Sequence, residues 1–85
     1  MGEVDIVARQ NGYLVFVEVK YRTDGGTGNP LEAVTPAKQR TISKVASYYC
    51  LTHGYGMDTS CRFDVTAILG KKIKVIQNAF EYRGF

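Results

Sequence analysis

Asp5, Glu18 and Lys20 are the residues of this chain whose types and spacing best fit a chemical task. A run of β-branched and aliphatic residues, Val4-Asp-Ile-Val-Ala-Arg-Gln10, leads to Asn11-Gly12 and then to Tyr13-Leu-Val-Phe-Val-Glu-Val-Lys-Tyr21. Asn-Gly between two such runs is the strongest short-range signal for a hairpin with a type I′ turn. With Asn11 and Gly12 as the loop, Gln10 pairs with Tyr13, and counting outward sets Asp5 opposite Glu18 and Glu3 opposite Lys20. Side chains alternate along a strand with a period of two, so Lys20 shares the face of Glu18. Carboxylates and an ammonium thus gather on one face of a two-stranded ribbon.

Directly opposed side chains have Cβ atoms roughly 4.5–5.5 Å apart, where like charges are destabilising. Asp5 and Glu18 need a positive group between them, and a divalent cation serves. Mg²⁺ takes oxygen ligands at about 2.0–2.1 Å and is commonly held by one or two carboxylates, with water and substrate phosphates completing the shell. Mn²⁺ is the expected substitute. Lys20 is placed to steady an attacking water or the charge that develops on a phosphate. The plainer reading is a solvated strand face, with Glu3 and Lys20 as a surface ion pair worth little. Both hairpin faces are apolar, however. Val4, Ile6, Ala8, Val15, Val17 and Val19 line one, while Val7, Leu14 and Phe16 share the other with the charges. Such strands belong in a sheet covered on both sides, where enclosed carboxylates are functional candidates.

The remaining elements follow from pattern. Thr23-Asp-Gly-Gly-Thr-Gly-Asn-Pro30 is a loop by composition, either a linker or a flap over substrate, and no Gly-Lys-Ser/Thr follows to make it a phosphate-binding loop. Thr35 and Pro36 read as N-cap and first residue of a helix. Its apolar stripe is Ile42, Val45, Ala46, Tyr49, Cys50 and His53, and Gly54 ends it. Gln39 lies on the margin of that stripe, flanked by Lys38 and Arg40. Arg62–Leu69 and Lys72–Phe80 read as strands joined by Gly70-Lys71. Strand, helix, strand from Phe16 to Ile68 is a right-handed crossover giving a parallel pair within a mixed sheet. The aromatic segment Phe80–Phe85 is expected to pack across the fold or against a partner.

The 85 residues make one small domain, just above the roughly 70–80 residues below which a single core rarely suffices. Hydrophobic content of 45% and charged content of 22% are those of a globular chain, and a net charge of +3 favours an anionic partner. The bias is local, with Lys38, Arg40 and Lys44 on the helix and Lys71, Lys72 and Lys74 around one turn. Two cysteines without a Cys-x-x-Cys fit a reduced, cytoplasmic protein, and a single histidine leaves no zinc cluster to build. His53 is better explained as a capping or packing residue than as a catalytic base. No signal peptide or membrane span is visible.

Gly2-Glu3-Val4-Asp5-Ile6-Val7-Ala8, then Val15-Phe16-Val17-Glu18-Val19-Lys20-Tyr21-Arg22, then Lys38-Gln39-Arg40 and Arg62-Phe63-Asp64-Val65, resembles the small bacterial YraN family. Asp, a hairpin and Glu-x-Lys are also the signature of the PD-(D/E)XK nuclease superfamily, near the archaeal Holliday-junction resolvases. The resemblance implies an α/β, restriction-endonuclease-like mixed sheet, here β-hairpin–helix–β-hairpin. It implies Asp5 and Glu18 as metal ligands with the backbone carbonyl of Val19, and Lys20 as the catalytic lysine. Glu3 and Gln39 would support the site, and Arg22, Lys38 and Arg40 would meet nucleic acid. Members normally carry a helix and a strand before the Gly-Glu-x-Asp string, so the domain spanning 1–85 is expected to be N-terminally incomplete. The function so implied is a Mg²⁺- or Mn²⁺-dependent nuclease acting on structured, branched DNA. The competing expectations are a non-catalytic nucleic-acid-binding module on the same fold and a fragment that assembles by sheet pairing. An unpaired first strand also leads to the expectation of a homodimer.

Overall fold

Asn11 and Gly12 both take positive φ, 51° and 83°, as a type I′ turn requires, and the two strands they join are paired as the sequence implies. A computed structural model describes residues 3–22 and 34–83. Strand β1 (Ile6–Gln10) runs antiparallel to β2 (Tyr13–Arg22), with Ile6 opposite Val17 and Gln10 opposite Tyr13. Helix α1 (Pro36–Thr52) then crosses over to β3 (Cys61–Leu69), which lies parallel to β2, and β4 (Lys72–Phe80) returns antiparallel to β3. The result is an α/β fold with one mixed four-stranded sheet of order β1-β2-β3-β4, in the expected β-β-α-β-β sequence. The 23–30 loop lies outside the described residues.

The Thr35 hydroxyl accepts a hydrogen bond from the Lys38 amide at 3.2 Å, and Pro36 occupies the first turn, where its missing N–H costs nothing. At the other end the His53 amide donates to the Tyr49 carbonyl at 3.0 Å, and Gly54 turns the chain at φ 76°. His53 therefore caps the helix, as its position suggested. The helix lays Ile42 and Ala46 on Leu14, Phe16, Phe63 and Val65 of the sheet, with Val34 closing the cluster. Phe16 stacks on Phe63 at 5.7 Å between ring centroids, Phe63 stacks on Phe80 at 5.0 Å, and Tyr49 meets Phe16 edge-on. Ser43 is fully buried beside them, because the chain beyond β4 folds over the helix. The Arg83 amide donates to the Ser43 hydroxyl at 2.8 Å, and the hydroxyls of Ser47 and Tyr82 lie 2.6 Å apart. Between the two packing alternatives for the aromatic tail, this one uses the chain's own helix.

The sheet's second face differs from expectation. Register puts Ile6, Val17, Val19, Ile68, Ile73 and Val75 there, and among the described residues no helix covers them. Ile73 is 69% exposed and Val75 55%. A single crossover helix can cover only one face. What that face does contain is a polar clasp. Asp64, buried, accepts from Arg62 Nε at 2.9 Å and Nη2 at 3.0 Å, and from the Asn78 amide at 3.0 Å. Arg62 also donates to Gln10 at 2.6 Å and lies over the Tyr13 ring. The clasp fixes an irregularity in the β3–β4 ladder, where Asn78 adopts φ 52°. Cys50 and Cys61 are free thiols facing one groove, and burial pushes the Cys61 thiol up to about 11, with Cys50 adding to the effect. No helix among the described residues is long and apolar enough to cross a membrane.

Candidate active site

Glu18 stands on β2 beside the apolar residues that hold α1, and this location is why a charged side chain there is only 6% exposed. Ladder β1–β2 begins at Ile6, so Asp5 sits one residue before it, at the position that the register extends to Glu18. The chain bends at Asp5. One of its carboxylate oxygens accepts a hydrogen bond from the Val19 amide at 2.8 Å, and its carboxyl group contacts that of Glu18. The bend also resets the side-chain alternation. Val4, expected on the outer face with Ile6, instead packs against the core. Within a strand a residue's N–H and C=O address the same neighbour. The Val19 carbonyl therefore points to the edge that Asp5 occupies.

Two ammonium groups share one oxygen of this pair. Lys20 Nζ is 3.7 Å and Lys38 Nζ 4.0 Å from Glu18 Oε1. Lys38, expected among the nucleic-acid contacts with Arg40, is thus brought to the carboxylates by the first turn of α1. Gln39, beside it, donates from its amide nitrogen to the Val34 carbonyl at 3.0 Å. Burial pushes the Glu18 carboxyl above its ordinary value of 4.5, and Asp5 adds to this, while Lys38 and Lys20 oppose it.

Two buried oxygens have no hydrogen-bond partner among the described residues, Glu18 Oε2 and Gln39 Oε1. Buried polar atoms are rarely left so, and each such case calls for an explanation. Both are acceptors, and the one on Glu18 is a carboxylate oxygen, which a cation would satisfy. The described residues contain no group of three or more His, Cys, Asp and Glu side chains arranged for a metal ion. What the structure does place together are the Asp5 and Glu18 carboxylates, whose charges interact, and two carboxylates of this kind are what a magnesium-type ion commonly uses beside water.

The other expected residues fall outside this centre. Glu3 is exposed and precedes the ladder, so the pairing with Lys20 does not form, and the ion pair of Lys20 is with Glu18. Arg40 is exposed on α1. Arg22 ends β2 opposite Leu69, and its side chain lies outside the described residues. The part of Lys38 was missed in the sequence. The available signal was the Thr35-Pro36 start, which puts Lys38 and Gln39 in the first helical turn.

Residues 1–68 match the family described as "Uncharacterised protein family UPF0102", a stretch containing Asp5, Glu18, Lys20, Lys38 and Gln39. The chain is 55% identical over 84 residues to a UPF0102 protein of Lachnoclostridium phytofermentans, covering 99% of this chain and 71% of that protein. It is 52% identical over 85 residues to a UPF0102 protein of Geobacter sulfurreducens, with 94% and 66% covered. With a UPF0102 protein of Shewanella amazonensis the identity is 42% over 79 residues, covering 93% of this chain and 71% of the other.

Proposed function

The chain belongs to the UPF0102 family, and from the site it carries we propose a divalent-metal-dependent nuclease of PD-(D/E)XK type, hydrolysing phosphodiester bonds in structured DNA. The observation that carries this reading is Glu18, a buried carboxylate in contact with Asp5, with one oxygen unpartnered and two lysines on the other. A fold does not retain such a group for stability, since burying charge costs free energy that imperfect pairing does not return.

Asp5, Glu18, Gln39 and the Val19 carbonyl would hold a Mg²⁺ or Mn²⁺ ion. When bound, that ion supplies Lewis acidity and lowers the pKa of water. Asp5 is oriented by the Val19 amide, which fixes its carboxylate beside Glu18. Lys20, partly exposed, is anchored loosely enough to donate to a phosphate oxygen as charge accumulates there. Arg40 and the basic residues around Gly70 extend the positive surface on which a DNA backbone would lie. On this proposal branched DNA is the partner, a homodimer the assembly and the cytoplasm the location.

The test is cleavage of an end-labelled four-way junction and of its linear arms, with Mg²⁺ or with a chelator. Cleavage that requires the metal and disappears in Glu18→Gln and Lys20→Ala supports the proposal. Metal-independent binding with no cleavage of any DNA would leave the non-catalytic module as the better account.

A further inference from the structure

The mechanism above uses one lysine, yet two contact the same carboxylate oxygen. Lys20 and Lys38 sit 3.7 Å and 4.0 Å from Glu18 Oε1, both beyond the roughly 2.7–3.2 Å of a well-made hydrogen bond, while Glu18 Oε2 has no partner. If Lys38 served only to neutralise Glu18, the unpartnered oxygen is where its ammonium would do most. Its position on the helix is also unfavourable. Lys38 lies in the first turn of α1, at the positive end of the helix dipole, where acidic residues are preferred and none is present. Local rules broken together at one place mark a functional compromise.

The charges explain what the compromise is for. Asp5 and Glu18 balance Lys20 and Lys38, so the metal-free centre is close to neutral and offers an anion little. Once Glu18 is committed to a divalent ion, the ion's own charge is in excess, and Lys38 loses its carboxylate partner. Its ammonium then stands at a helix N-terminus with no acidic neighbour in that turn, a setting that favours a phosphate.

Building on the nuclease reading, we propose that Lys38 is a metal-gated phosphate ligand. It is parked on Glu18 in the metal-free site and released to a non-bridging phosphate oxygen of the nucleic acid when a divalent ion takes Glu18. Metal and DNA then bind cooperatively, each strengthening the other by the same factor, and Lys38 carries much of that coupling.

The test measures affinity, not turnover. A labelled four-way junction with phosphorothioate linkages is titrated with the wild-type chain, Lys38→Met and Arg40→Met, each with and without Mn²⁺. Mn²⁺ alone is titrated by calorimetry into the same proteins. Methionine keeps helix propensity and length, and the cap at Thr35 uses the backbone amide of residue 38, so the helix start is preserved. In the wild type Mn²⁺ should raise junction affinity by about fivefold or more. In Lys38→Met that gain should shrink to about twofold or less, while Mn²⁺ alone binds at least as tightly as before, since a competing cation is gone. Arg40→Met should lower affinity by one factor in both conditions and keep the gain. A wild-type protein that binds Mn²⁺ without gaining junction affinity overturns the coupling. Lys38→Met that behaves like Arg40→Met, or that binds Mn²⁺ more weakly, overturns the role of Lys38 and leaves the nuclease reading intact. Absence of any Mn²⁺ binding in the wild type removes the metal centre itself, and this inference with it.

Discussion

Burial lifts the Glu18 carboxyl above its ordinary value, Lys38 pulls it back, Asp5 pushes it up again, and Lys20 opposes the rise. The net effect is a proton held more tightly in the folded chain than in the unfolded one. Well below pH 4.5 both states keep that proton. Between 4.5 and the raised folded value the unfolded chain releases it first, so metal-free stability falls as pH rises through that window. Glu18→Gln removes the penalty. The variant should be more stable than wild type by about 1 kcal/mol at neutral pH, and the difference should vanish in acid. Urea melts in chelator across the pH range measure it, and a less stable variant at neutral pH would show that the lysine pairs outweigh burial. Lys20 makes a complementary prediction. Lys20→Ala should lose about 10²-fold in cleavage rate while Mn²⁺ affinity holds or tightens, as expected of a donor to developing charge and not of a metal ligand. A matching loss of Mn²⁺ affinity would assign Lys20 to holding the metal site together.

At the scale of the elements, the hairpin depends on its turn and the sheet on its clasp. Gly12 at φ 83° has open space around its Cβ position, so Gly12→Ala meets only backbone strain and should cost about 1 kcal/mol. Asp64→Ala strands a partly buried guanidinium and frees the Asn78 amide. A lower midpoint in a urea melt, with faster hydrogen exchange at Asn78, is the expected outcome. Near-normal stability would mean that the clasp is incidental. These elements also show what the sequence could reveal. The register was legible because Asn-Gly admits few turns and period two then fixes every partner. The helix was legible from Thr35, Pro36 and Gly54. The bend at Asp5 was not, because a strand pattern has no marker for where pairing stops, and Val4 was misplaced as a result. Lys38 was hidden for another reason: helical spacing tells which residues share a face, not where the helix start lands on the sheet. Asn78, a residue that tolerates positive φ, was the only local hint of the irregularity in β4.

For the molecule as a whole, period two correctly separated the strand faces but could not say whether the second face would be covered. In the described residues it is open, with Ile6, Ile73 and Val75 exposed across it and β1 unpaired on its outer side. Exposed apolar faces and free strand edges are surfaces on which chains associate. Light scattering over a concentration series should therefore find a homodimer for the 85-residue chain, and a monomer throughout would contradict that expectation. Association through that face would leave the other side of the sheet, where α1 packs, uncovered by the partner copy.

The central claim is that Asp5 and Glu18 form one cation site, and calorimetric titration of Mn²⁺ into the metal-free protein tests it most directly. The expected result is a saturable isotherm for the wild-type chain, lost in both Asp5→Ala and Glu18→Ala while each variant keeps its cooperative unfolding transition. A wild-type chain that takes up no Mn²⁺, or an isotherm unchanged by either substitution, would contradict the account.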